Sequence, residues 1–410
     1  MTEAAAATAP DSFAEHWTLD PDVTFLNHGS FGACPRPVLE AQRALQDRLE
    51  REPVRFFARE APLLLEAARE ALAEFIGASV PGLAFVPNVT TAINSVLRSV
   101  PLQRGDELLV TDHEYNASRN ILDYVAAERG ATVVVAHVPF PVEGPTAVRD
   151  AVLSRVSPRT RVALLDHVSS QTALVMPIAA LCRELEARGV DVLVDGAHAP
   201  GMVDLDVGAL APAWYAGNCH KWLCAPKSVG FVWSREDRRK AVRPAIISHG
   251  ANARVPLAQR YRAEFGWQGT LDPTPALALP EALRFLGSLL PGGWPSLRAR
   301  NRALALEGRK LVAEALGAAL PCPDEMIGSM ASLPVPPLPA LPEPTASSAL
   351  ERDALQERLF AEHAIEVPVL TCPGHPGRLL RISAQAYNTR DDYARLADAL
   401  RTLVAPAASR

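Results

Sequence analysis

The chain has no surplus of positive charge: its 410 residues carry 41 Lys and Arg against 46 Asp and Glu, a formal net charge of -5. That balance gives no drive towards nucleic acid or anionic lipid, so nucleic acid is not expected as a partner. No apolar run approaches the roughly 18 to 20 residues that a membrane helix needs, so no membrane association is expected either. The opening residues, MTEAAAATAP, hold an acid at Glu3, no Lys or Arg and no long apolar stretch. They argue against a secretory signal and point to a cytoplasmic protein. Paired cysteines are also missing. Cys34, Cys182, Cys219, Cys224, Cys322 and Cys372 are scattered without CxxC or paired-ligand spacing, which fits reduced thiols, and no metal is expected. There is no internal repeat. The rest is ordinary globular composition, 48% hydrophobic and 21% charged, in a chain long enough for two domains or one large domain with an appendage.

Short β-rich runs recur at Leu83 to Val86, Glu107 to Thr111, Thr132 to Val138, Arg161 to His167, Val190 to Asp195, Trp214 to Gly217 and Val229 to Trp233. Helical patterns alternate with the earlier ones, at Ala117 to Arg129, Pro145 to Val156 and Ile178 to Arg188, after an opening helix at Pro37 to Glu50. Strand alternating with helix predicts an α/β fold, a mainly parallel sheet of seven strands covered on both faces. From about Trp294 the texture changes: a helical stretch to Leu316, the proline-dense Pro334 to Thr345, and helices near Glu351 to His363 and Arg390 to Val404 flanking the run Leu379 to Ser383. This predicts a smaller α+β C-terminal domain over 294–410, following a large domain over 36–293. The proline-dense segment is expected to be a surface loop bridging two strands.

In an open parallel sheet ligands bind beyond the carboxyl ends of the strands, and here those ends are rich in polar groups. Asn88, Thr90 and Thr91 follow the first run, and Asp112 to Asn116 the second. Ser169 to Thr172 follow the fourth, Asp195 and His198 the fifth, and Asn218, His220 and Lys221 the sixth. A carboxylate ending a buried strand, with a lysine after the next, suits pyridoxal 5'-phosphate: the lysine binds the cofactor covalently and the aspartate keeps its ring nitrogen protonated. Taken alone the pair fits a surface lysine equally well.

The motifs as a set resemble the class V aminotransferase superfamily of pyridoxal phosphate enzymes, fold type I, and within it the isopenicillin N epimerase-like group. The resemblance runs through FLNHGSFG (Phe25 to Gly32), REPVRFFARE (Arg51 to Glu60), NVTTAIN (Asn88 to Asn94), TDHEYNASR (Thr111 to Arg119), DGAHAPG (Asp195 to Gly201), AGNCHKWL (Ala216 to Leu223) and LRISAQAYN (Leu380 to Asn388). It implies Lys221 as the cofactor lysine and Asp195 as partner of the ring nitrogen. Thr90, Thr91, Asn218 and His220 would be phosphate ligands, although the threonines would serve equally well in a helix cap. Thr270, in GWQGT, would reach the phosphate of a partner subunit, which implies a homodimer. His198 contacts the cofactor or caps a packed turn. Tyr115 stacks on the ring where desulfurases carry histidine, or packs at a strand end. Ser170 and Gln171 fall near the ring's phenolic oxygen.

By the same resemblance Arg381 clamps the substrate α-carboxylate, the alternative being an ordinary edge-strand arginine. Residues 1–35 would form a segment over the site mouth, with Asn27, His28 and Ser30 near the substrate. The implied activity is chemistry at Cα of an amino acid, with epimerisation or racemisation leading. Carbon–sulfur lysis of a cysteine conjugate or its sulfoxide is the alternative, and desulfuration or transamination are lesser ones. A non-catalytic binding protein on the same fold is disfavoured by Lys221, Asp195 and Arg381 occurring together. Desulfurases place a reactive cysteine in an RxGxxC-like context, whereas here IEVPVLTCPGHPGRLLRIS lacks the Arg-Thr-Gly lead and Cys372 is expected to be a plain loop thiol. Tyr115, with its pKa drawn down from about 10 by a nearby cation, is the expected second-face proton donor. His28 and His113 are its rivals.

Overall fold

In the computed structural model, which describes residues 12–338, 341–342 and 351–404, the seven β-rich runs form one sheet. The strands are β1 (Leu83–Val86), β2 (Glu107–Thr111), β3 (Thr132–Ala136), β4 (Thr160–Asp166), β5 (Asp191–Gly196), β6 (Trp214–Asn218) and β7 (Gly230–Ser234). β1 and β2 have the limits expected from sequence, and the other five differ by no more than two residues. Their spatial order is β1-β7-β6-β5-β4-β2-β3. All are parallel except β7, which runs antiparallel to both its neighbours, β1 and β6.

Alternation along each strand feeds two cores. Leu108, Val110, Val162, Leu164 and Leu193 face one side, while Leu109, Ala163, Leu165, Val192 and Val194 face the other. With both faces covered, strands such as ELLVT and GFVWS are buried at every position, which is why they read as unbroken apolar runs. Helices begin and end on local signals. Asn88 caps Val89–Ser99 by accepting the Thr91 N–H at 2.9 Å, Pro145 opens Pro145–Leu153, and Gly130, at φ +66°, ends Asn116–Arg129.

A second, antiparallel sheet joins β8 (Met330–Pro334), β9 (Val369–Cys372) and β10 (His375–Ser383) in the order β9-β10-β8. The helices Gly293–Leu316 and Arg390–Val404 belong to the same C-terminal part. Strands β8 and β9 were not expected. Proline at the end of β8 and on both sides of β9 masks their apolar character in sequence. Part of the proline-dense segment, expected to be a bridging loop, lies outside the described residues, as does the opening MTEAAAATAP. Among the described residues no helix is long and apolar enough to cross a membrane.

One short pairing governs the site. Thr24–Phe25 runs parallel to Ile365–Glu366, and the Ser383 N–H bonds the Leu26 carbonyl at 3.0 Å. The segment then turns at Gly32, whose φ is +71° and where any side chain would strike the His220 carbonyl. The two ends of the chain thus converge on the strand ends of the large sheet.

Candidate active site

The carboxyl ends of the sheet strands open into a cavity of about 250 Å³ lined by Thr90, Tyr115, Asp195, His198, Lys221 and their neighbours. Asp195 ends β5 and is 3% exposed. Its Oδ1 accepts the Ala197 N–H at 2.9 Å and its Oδ2 the Ser118 hydroxyl at 3.2 Å. Burial raises its pKa, opposed by the Ala197 N–H and the Lys221 charge.

Lys221 lies in the turn after β6 with Nζ 3.0 Å from His198 Nε2. Burial first, then the charge of Arg381, lowers its pKa from 10.5 to about 7. Trp222 supplies the complementary fact: its indole N–H, which can only donate, points at His198 Nδ1 at 3.3 Å. The imidazole proton therefore belongs on Nε2 and is directed at the lysine. Burial, then Lys221, holds His198 well below its usual pKa, so a neutral imidazole can donate to the lysine amine once the amine has lost its proton, which a pKa of about 7 allows near neutral pH.

At the start of the helix Val89–Ser99, Asn218 Oδ1 accepts the Val89 N–H at 3.0 Å. The Thr91 N–H and hydroxyl both go to Asn88 Oδ1, at 2.9 and 3.1 Å. Thr90 lines the cavity, and no protein acceptor takes its N–H among the described residues. The two threonines therefore part company: Thr90 faces the cavity as a phosphate ligand would, while Thr91 is spent on the cap. His220 lines the same cavity, its Nδ1 3.1 Å from the Val229 carbonyl.

Arg381 is 2% exposed on β10. One terminal nitrogen donates to the Ser170 carbonyl and hydroxyl at 2.7 and 3.2 Å, and the other to the Ser30 hydroxyl at 3.0 Å. Its Nε has no partner, and burial lowers its pKa to about 10. This is not an edge-strand arginine in water but a buried cation held by neutral oxygens, which favours an anionic guest. Gln171 contributes its carbonyl to the Ser332 hydroxyl at 2.6 Å.

Three expectations need correction. His28 does not line the cavity. It is fully buried, Nδ1 2.9 Å from the Tyr387 hydroxyl and Nε2 3.0 Å from the Lys221 carbonyl, so it ties the N-terminal segment to the lysine turn and has no ring nitrogen left for substrate. His113 is likewise buried, with its nitrogens at Thr172 Oγ1 (2.8 Å) and the Val138 carbonyl (3.0 Å). The Tyr115 pKa is raised, not lowered, because burial and the Asp195 charge outweigh the pull of Arg381. Thr270 is exposed and does not line the cavity of its own chain. Cys372 is buried on β9 and its thiol is pushed up to about 11 by burial, the environment of an inert thiol.

Two carboxyls escaped sequence reading. Glu114, Asp166 and Asp195 are all buried and bring one oxygen each to within 4.8 Å of one another. Asp166 pairs in register with Asp195 across β4 and β5, a strand-end position that was the available signal. Burial and then the Asp195 charge raise Glu114 well above the usual carboxyl range. Asp166 is raised by burial and then by Glu114 and Asp195. Each keeps an oxygen without a partner among the described residues, and burial favours the protonated form of both beside an Asp195 that has two donors of its own.

The residues present fit pyridoxal 5'-phosphate: a free N–H at a helix start for an anion, a buried carboxylate for a protonated ring nitrogen, and a neutral amine between them. The class V aminotransferase family model matches residues 34–319, and the chain belongs to this pyridoxal phosphate family. Isopenicillin N epimerase of Streptomyces clavuligerus is 38% identical over 399 residues, covering 94% of this chain and 96% of that protein. A probable chloroplastic L-cysteine desulfhydrase of Arabidopsis thaliana is 31% identical, covering 96% of this chain and 84% of that protein. Among solved structures, the cysteine desulfurase CsdA of Escherichia coli shares the fold with a TM-score of 0.77 at 23% identity, over 96% of this chain and 97% of that one.

Proposed function

We propose that the protein is an amino acid epimerase or racemase of the isopenicillin N epimerase type, inverting Cα of a substrate whose α-carboxylate is clamped by Arg381. The observation that carries this reading is Lys221 as a neutral amine 3.0 Å from His198 Nε2, in one cavity with the Tyr115 side chain. Pyridoxal 5'-phosphate, when bound, supplies an electron sink that stabilises negative charge at Cα. It would be held by Lys221, by Asp195 at the ring nitrogen, and by Thr90, Asn218 and His220 at the phosphate, with His198 and Ser170 beside the ring. Lys221, whose pKa of about 7 leaves a large unprotonated fraction near neutral pH, would be the group that takes the Cα proton. Arg381 fixes the carboxylate and so sets which Cα bond is aligned for cleavage. Tyr115, kept protonated by its raised pKa, is suited to give a proton back on the other face.

The same reading makes the protein a cytoplasmic homodimer with Thr270 completing the partner's phosphate site. Leu271 beside it and the pair Ile246 and Ile247 are exposed apolar residues that suit burial against a second copy. It also keeps the division into 1–35, 36–293 and 294–410, supported by two separate sheets and by the N-terminal segment crossing the lysine turn. Chiral chromatography over an amino acid panel tests the proposal, and inversion of at least one enantiomer is expected. The second reading, carbon–sulfur lysis, is favoured by the likeness to the L-cysteine desulfhydrase. Pyruvate and thiol release from a cysteine conjugate without inversion would replace the first reading with it.

A further inference from the structure

The lysine cavity opens into a second one of about 470 Å³, and Ser30, Phe31, Tyr115 and Ser170 line both. The outer space is thus open to the side chain of a substrate held in the lysine cavity. Glu366 stands on its wall. Oε1 of Glu366 accepts two amide N–H groups, from Asn27 Nδ2 at 2.8 Å and Gln356 Nε2 at 3.2 Å.

Neither amide is free to turn round. The Gln356 oxygen accepts the Val369 N–H at 3.2 Å, and the Asn27 oxygen accepts the Ser30 hydroxyl at 2.5 Å. That hydroxyl itself accepts from Arg381 at 3.0 Å. Donor and acceptor directions are thus fixed along an unbroken chain from the carboxylate clamp to Glu366. The carboxylate is oriented by neutral amides, and no cation pairs with it among the described residues. Arg352 lines the same cavity but pairs with Glu357 at 3.2 Å. Among the described residues, the charged groups lining the outer cavity are Glu351, Glu366 and Arg352.

We propose that Glu366 reads the substrate side chain and selects amino acids ending in an amino, guanidino or similar N–H-bearing cationic group. The inference rests on the reading of Arg381 as the α-carboxylate clamp. Two amide bonds hold one oxygen, and among the described residues the other has no hydrogen-bond partner, so a cation reaching it gains a charge-assisted bond with little further ordering.

The test uses the holoenzyme with L-lysine, L-ornithine, L-norleucine and L-2-aminoadipate, measuring affinity by calorimetry and Cα hydrogen exchange in deuterated solvent by NMR. The cationic ligands should bind on the order of 10- to 100-fold more tightly than norleucine, as expected for a hydrogen bond to a charged group. Aminoadipate should bind worst. E366Q, checked for folding by thermal unfolding, should bring lysine affinity down to the norleucine level. Equal binding of all four by the wild-type enzyme, or a cation preference that survives in E366Q, overturns the inference alone. Absence of both binding and exchange with every ligand overturns the functional reading and the inference with it.

Discussion

Lys221 is surrounded by groups that decide its charge, and the sign of its pH dependence follows from them. Its pKa is about 7 in the folded protein and 10.5 when unperturbed. Between these values the unfolded chain binds about one more proton, so stability rises with pH across that window. The apoprotein should therefore gain on Lys221→Met from pH 7 to 10.5, measured by denaturant unfolding; parallel curves would refute the lowered pKa. Glu114 works in the opposite sense. Its carboxyl is raised above 4.5 by burial, so its cost to the folded state grows as pH rises from 4.5 towards the folded value. Glu114→Gln, which keeps the size and removes the acid, should gain stability over wild type across that range. For Tyr115, retention of the ring in Tyr115→Phe separates stacking from proton donation. Loss of second-face exchange by a factor on the order of a hundred is expected for a donor, and near-full activity for a stacking role. Lys221 and Asp195 were legible in sequence because each follows a buried strand within a distinctive motif. Glu114 and Asp166 were not, because only the register of β4 against β5 brings Asp166 to Asp195 and only the turn after β2 brings Glu114 there.

The helix Val89–Ser99 concentrates its cap and the proposed phosphate site in a single turn. Asn88→Ala should lower stability by about 1 kcal/mol through the lost cap and speed cofactor release in dialysis, followed by absorbance. A lowered melting temperature with unaltered cofactor retention would separate the cap from phosphate binding. The inner strands of the large sheet were legible because burial on both faces leaves nearly unbroken apolar runs, as in LLV and VALL. β8 and β9 were hidden because they are short and bounded by proline, at Pro334 for β8 and at Pro368 and Pro373 for β9. Which threonine faces the cavity was also hidden, since NVTTAIN offers both and only the cap geometry chooses.

For the whole molecule, the reading predicts a dimer whose dissociation removes activity. Sedimentation equilibrium with activity measured across the same dilution checks it, and a fully active monomer would sink it. Thr270 was singled out in sequence only by resemblance, because a residue completing another chain's site leaves no trace in its own chain's periodicity. The pairing of Thr24–Phe25 with Ile365–Glu366 and the bond from Ser383 to Leu26 also bear on the order of events at the ribosome. The large sheet is complete once Ser234 has emerged, and the lysine turn is already in place. Arg381, and the partners that hold the N-terminal segment over the turn, are translated more than a hundred residues later. A nascent chain can thus have the proposed cofactor lysine before it has the proposed substrate clamp, and on this reading the capacity to act on amino acids arrives later in synthesis than the sheet that carries the lysine.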